Sequence, residues 1–214
     1  AREVLEQLPV RDIVSWNALI VGYAQQGQAH EALNCFEQMQ NEGLSPDEVT
    51  FVCVLSACSH SALMGEARRL FGNMERRYGI SPNIEHHTCM ISVLGSAGRF
   101  EEAMSVIKVI PDSDHSDLWL ALLGACRKWG NVNLGSLAFD QTIQLDNTCA
   151  SAYVLMANIF AAAGMQEDAE RVEAMRLKYA ACKEQENRLR LNAGGNVDSI
   201  YLGTHNRILG STVI

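Results

Sequence analysis

Histidine, cysteine and arginine are the first residues here whose types could do chemistry. His86, His87 and Cys89 lie close together, and Cys53 and Cys58 share one segment. Neither spacing converges on a tetrahedral site without further ligands, so no metal is expected. The seven cysteines are odd in number, scattered and without a C-x-x-C pair. That usage suits reduced thiols serving as small apolar packers. Arg68–Arg69 and Arg76–Arg77 read as a solvated helix face. Asn17 offers a donor and an acceptor on a short side chain, and Asp47 precedes another helical segment. Such residues can meet a ligand edge, and equally can cap helices. No Gly-rich phosphate loop, nucleophile motif or paired carboxylates stand out, and no cofactor is expected.

The elements that must hold these residues are helices. Of 214 residues, 48% are apolar and 20% charged, the balance of a soluble, packed chain. No apolar run approaches the length of a membrane helix. The N-terminal AREVLEQLPVRD is neither a signal nor a transit peptide, so any targeting sequence is expected upstream. A net charge of −8 argues against a nucleic-acid binder that works through a basic face alone.

Three columns of residues recur in step: Trp16, Phe51, His87, Trp119 and Tyr153; then Gly27, Ala62, Gly98, Gly130 and Gly164; then Ala32, Ala67, Ala103, Gly135 and Ala169. Such periodicity predicts a helical-repeat array. In the first unit Trp16, Leu19, Ile20 and Tyr23 form one apolar stripe, and Gly27 ends that helix. A second helix places Ala32, Leu33, Phe36 and Met39 inward, and Gly43 and Pro46 stop it. The small residue in the third column lets the two helices approach closely. A lone hairpin of this kind leaves an apolar face bare, so stacking completes the core. The expected fold is an all-α, right-handed solenoid of helix-turn-helix repeats. Over 187–214, NRLRLN, AGGN and VDSIYLG alternate around a Gly-rich turn and suggest a short C-terminal β-hairpin.

The stretch VRDIVSWNALIVGYAQQGQAHEALNCFEQMQNEGLSPD resembles a pentatricopeptide motif almost throughout. VTFVCVLSACSHSALMGEARRLFGNMERRYGISPN resembles the long variant of the plant-specific subclass, and IEHHTCMISVLGSAGRFEEAMSVIKVIP its short variant. LWLALLGACRKWGNVNLGSLAFDQTIQLDN and SAYVLMANIFAAAGMQEDAERV are similar to the two extension motifs that close such arrays. The resemblance places repeats at 13–47, 48–83 and 84–115 and extension motifs, tetratricopeptide-like, at 116–149 and 150–183. Residues 1–12 resemble the second half of a preceding short repeat. The segment 184–214 lacks the Pro-Gly and Ser-Trp that family members carry there.

The resemblance implies one RNA base per repeat, read by the fifth and last residues of the motif. These are Asn17 with Asp47, a pair that implies uridine over cytidine, then Val52 with Asn83, a weaker reader without a polar fifth residue. Thr88 and His115 are weaker still, and Asp12 completes a pair begun upstream. Val14 and Val49 would sandwich the first base. So few sites imply weak binding of single-stranded organellar RNA by this chain alone. The family role is site recognition in C-to-U RNA editing in the chloroplast or mitochondrion. The extension motifs there recruit a deaminase or accessory editing factors. The H-x-E and C-x-x-C of a zinc deaminase are absent from the sequence, so the chain is not expected to be an enzyme. The competing expectation is a protein-interaction scaffold with little RNA binding of its own.

Overall fold

The computed structural model describes residues 11–110 and 115–192, with side chains to residue 180. Every regular element among them is a helix, in the order α1 (Ile13–Gln25), α2 (Ala29–Asn41), α3 (Glu48–His60), α4 (Met64–Tyr78), α5 (Ile84–Ser96), α6 (Phe100–Val109), α7 (Ser116–Trp129), α8 (Val132–Leu145), α9 (Ala150–Ala162) and α10 (Gln166–Asn192). They pair as helical hairpins. Within each pair, the turn is made by the column of small residues that includes four glycines. Gly27, Gly98, Gly130 and Gly164 take φ of 72°, 73°, 63° and 76°, and Ala62 takes 52°. In all five turns the next residue's N–H reaches back five residues to a carbonyl, as Gln28 to Tyr23 and Leu63 to Cys58. That bond closes the first helix and requires a left-handed residue, which glycine adopts without strain and alanine does not.

The hairpins stack through their first helices. α1, α3, α5, α7 and α9 each pack on the next, forming one continuous layer. α2, α4, α6 and α8 each pack on their own first helix and on the following one. They meet one another through side-chain tips, Tyr78 Oη donating to Gln40 Oε1 at 2.7 Å between α4 and α2, and Arg68 pairing with Glu102 between α4 and α6. The close-approach column behaves as its small size demands. Ala32, Ala67 and Ala103 are fully buried, and a Cβ on Gly135 would press on Ile159 Cδ1 at 3.1 Å. Ring contacts join successive hairpins edge to face: Phe36 with Phe51, Phe71 with His87, and Phe139 with Tyr153, at centroid separations of 5.7, 5.3 and 5.3 Å. The apolar core runs along the stack as two clusters that meet at α5, with Cys58 fully buried in the first and Cys126 in the second.

Two details depart from the sequence reading. In the aromatic column Trp16, Phe51 and Tyr153 are buried, whereas His87 and Trp119 are only half-buried. The residue before each, His86 and Leu118, takes the core position. The second departure is the C-terminal β-hairpin. Its first expected strand, residues 187–192, is instead the end of α10. Glu, Arg and Leu are good helix formers, and no Gly or Pro intervenes before Gly194, so the helix continues through the alternating stretch. The rest of the expected hairpin, 193–214, lies outside the described residues, as do residues 1–10. No helix among the described residues is long and apolar enough to cross a membrane.

Candidate functional site

At the first three junctions the side chain of a repeat's last residue caps the helix that opens the next. Asp12 Oδ1 accepts from Ser15 N at 2.8 Å and from Ser15 Oγ at 2.6 Å. Asp47 Oδ1 accepts from Thr50 N at 2.8 Å and from Thr50 Oγ1 at 2.7 Å. Asn83 Oδ1 accepts from Glu85 N and His86 N. These caps set each carboxylate or amide at the upper end of a first helix, where the orphan N–H groups lie. At the third junction His86 completes the cap: its Nδ1 accepts from Asn83 N at 3.2 Å. The other ring nitrogen, Nε2, lies 3.0 Å from the carbonyl of Glu48 on the neighbouring first helix. With Nδ1 as acceptor, Nε2 carries the proton and donates to that carbonyl. This buried imidazole bolts α5 to α3.

Asp47 has a second task. Asn17 Nδ2 donates to Asp47 Oδ1 at 3.3 Å, which fixes the rotation of the amide. Asn17 is 8% exposed, and its Oδ1 is buried without a hydrogen-bond partner. A buried amide oxygen left unpaired costs stability unless something donates to it. Val14, one turn before Asn17 on α1, and Val49, two residues after Asp47 on α3, are 69% and 57% exposed. Exposed β-branched residues contribute nothing to the core. Asp47 stays ionised readily. Partial burial works to raise its pKa, but the bonds from Thr50 N, Thr50 Oγ1 and Asn17 outweigh this and hold it below the ordinary value. Asp12, engaged by Ser15, is likewise held low.

The remaining expected positions are arranged differently. Val52 is half-buried and offers no polar group, while Asn83 is exposed and committed to its cap. Thr88 Oγ1 turns back to the Ile84 carbonyl at 2.9 Å. His115 stands at the N-cap of α7 without a side-chain cap bond. Instead of a second amide and carboxylate, the surface here is a trough of about 440 Å³, floored by Val52, Cys89, Leu120 and Ala121 and bordered by Glu85 and Asp117. Sequence reasoning passed over this trough. Its signal lies in two columns read across the units. The fifth positions are Asn17, Val52, Thr88, Leu120 and Val154, and the second positions are Val14, Val49, Glu85, Asp117 and Ser151. Among the described residues, no cluster of His, Cys, Asp or Glu is arranged to hold a metal ion.

Residues 11–60 match the PPR repeat family, residues 49–78 and 85–114 each match a PPR repeat, and residues 129–184 match the E motif. The chain belongs to the pentatricopeptide-repeat family. This PPR chain is 39% identical over 194 residues to a pentatricopeptide repeat-containing protein of Arabidopsis thaliana, covering 91% of the chain and 38% of that protein. It is 37% identical over 185 residues to a second Arabidopsis thaliana member described as chloroplastic, covering 86% and 21%. The pentatricopeptide repeat-containing protein CRR2, chloroplastic, of the same plant is 41% identical over 174 residues, covering 81% and 26%. The PPR chain therefore spans well under half the length of these relatives. Its fold matches the crystal structure of the pentatricopeptide repeat protein PPR10 in complex with an 18-nt psaJ RNA element. The TM-score is 0.68 at 18% identity, over 83% of this chain and 27% of that one.

Proposed function

We propose that this PPR chain forms the C-terminal part of an organellar RNA-recognition protein that selects sites for C-to-U editing. In this reading its E-motif region recruits a deaminase or accessory factors. One observation carries the RNA half: the buried Asn17 amide, turned by Asp47, with an oxygen that has no partner and with exposed valines near in sequence, Val14 one turn before Asn17 and Val49 two residues after Asp47. Nδ2 is tied to Asp47, so Oδ1 is left as the amide's unengaged acceptor, covered in the free chain and reached by a base only when its surroundings part. Uracil brings a donor, N3–H, to such an oxygen, whereas cytosine brings a lone pair at N3. Val14 and Val49 would close on the two faces of the base. Val52 with Asn83 would contribute little, and Asp12 would serve a repeat upstream. RNA is supported further by PPR10, a relative in fold that binds an RNA element. The E-motif match over 129–184 supports the recruiting half. Relatives described as chloroplastic and as mitochondrial support an organelle address.

The test is a titration of oligouridine and oligocytidine, followed by the side-chain amide resonances of Asn17. Oligouridine is expected to shift them, weakly in affinity, and Asn17→Ala or Asp47→Ala to abolish the difference between the two RNAs. An equal response to both RNAs in the unmodified chain would sink the base-reading role. A second reading, an interaction scaffold that leaves RNA to other repeats, is favoured by the net charge of −8. It predicts that changes within 116–183 abolish partner binding and leave the Asn17 titration untouched.

A further inference from the structure

The first-helix layer changes chemistry along its length, and the change falls within one continuous surface. At α1 and α3 it presents an amide, a carboxylate and two exposed valines. Across α3, α5 and α7 it presents the apolar floor of Val52, Cys89, Leu120 and Ala121. On its border the valine column gives way to Glu85 and Asp117, both exposed and with no ion pair to a described residue. No Lys or Arg lines the trough. A phosphate backbone laid here would meet two uncompensated carboxylates over a surface with no cation. A polypeptide with Lys or Arg flanking apolar side chains would meet its complement in both charge and polarity. Adjacent first helices set the two carboxylates roughly 8–10 Å apart, the spacing of packed helices. Basic residues about two turns apart on a helix span the same distance.

We propose that the α3–α5–α7 trough is a docking site for a basic, apolar polypeptide segment. The partner's apolar side chains enter the trough, and its cations pair with Glu85 and Asp117. This goes beyond the base-reading assignment and does not depend on it. It shares with the recruiting role only the premise that the partner is a protein.

The probe is a fluorescein-labelled peptide built of Leu and Lys, with its Leu and Glu counterpart and oligouridine as comparisons, added to the 214-residue chain. Binding of the Lys peptide, and not of the Glu peptide, is expected in low salt. Glu85→Lys with Asp117→Lys should weaken it about tenfold, and Leu120→Arg should block it by filling the floor. Glu37→Lys with Glu75→Lys makes the same change in net charge on exposed second-helix positions and should leave the affinity within about twofold. Equal weakening by that control pair, or no effect of either trough variant, overturns the proposal. So does loss of oligouridine binding on Leu120→Arg, which would give the trough to RNA. Failure of the Asn17 titration leaves each of these results intact, so the two readings fall separately.

Discussion

Gly95 on α5 packs directly against Ala125 on α7, and a single methyl group there tests how tightly the first helices are registered. A Cβ built on Gly95 would lie 2.3 Å from Cβ of Ala125. Ordinary carbon contacts begin near ~3.5 Å, so the two helices would have to part by about 1 Å. The same crossing is held by Trp129 Nε1 donating to the Gly95 carbonyl at 2.9 Å and Lys128 Nζ donating to the Ser96 carbonyl at 3.0 Å. Parting the helices stretches both bonds. Overpacking of this kind costs roughly 1–3 kcal/mol and a weakened hydrogen bond about 1 more, against a gain of about 1 from replacing a helical glycine. Gly95→Ala is thus expected to lose about 2 kcal/mol. Ala125→Gly alone should lose about 1–2 kcal/mol from helix propensity and lost contact. The double variant moves the methyl from one helix to the other and should return to within about 1 kcal/mol of the unmodified chain. Urea unfolding followed by far-UV circular dichroism measures all three. If the double variant loses as much as the two single changes together, the helices are not in contact at this point and the reasoning is refuted.

Ala62 is the one non-glycine residue with positive φ among the described residues; Ala62→Gly should raise the urea midpoint, by about 1 kcal/mol of stability, and an unchanged or lower midpoint would contradict the strained turn. Asp47 has its pKa held below the ordinary 3.8. Its contribution to stability is therefore complete above that value and is lost as the pH falls beneath it. Asp47→Ala should flatten that part of an acid unfolding profile and leave its slope above pH 5 unchanged (about one unit clear of the transition). Burial pushes the Cys58 and Cys126 thiols up to about 11. A disulfide reagent at pH 8 or so should leave both unmodified until urea opens the stack, and mass spectrometry showing either labelled in the native chain would contradict their burial.

How much of this was legible in the sequence differs from column to column. The turn column was fully legible, since only a residue tolerating positive φ closes the first helix, and even Ala62 was found by position. The small-residue column was legible because two helices cannot approach over a larger side chain. The aromatic column misled at His87 and Trp119. Neighbouring residues on a helix differ by only about 100°, so periodicity leaves a one-residue choice that tertiary packing decides in favour of His86 and Leu118. The tail misled for a related reason. Alternation in NRLRLN suits a strand, but the helix preference of those residues, continued from Gln166, prevailed. Asn17 and Asp47 could be aligned by analogy, yet the buried, unpartnered oxygen depends on a contact across 30 positions. The trough and the Gly95 crossing arise between units, where local pattern carries no signal.

The outer helices of this stack pack their backbones against the inner row, and reach one another through polar side-chain tips such as Tyr78 to Gln40 and Arg68 to Glu102. The assembly therefore bends like a row of hinged slats, pivoting along the inner seam while the polar tips of the outer row slide or part. Small rotations at each pivot add from end to end, while the Ala32, Ala67 and Ala103 contacts inside each slat stay closed. A guest lying along the seam and drawing Val14 toward Val49 would shorten the pitch without melting a single helix. Length, rather than folded content, is what occupancy changes in such a molecule.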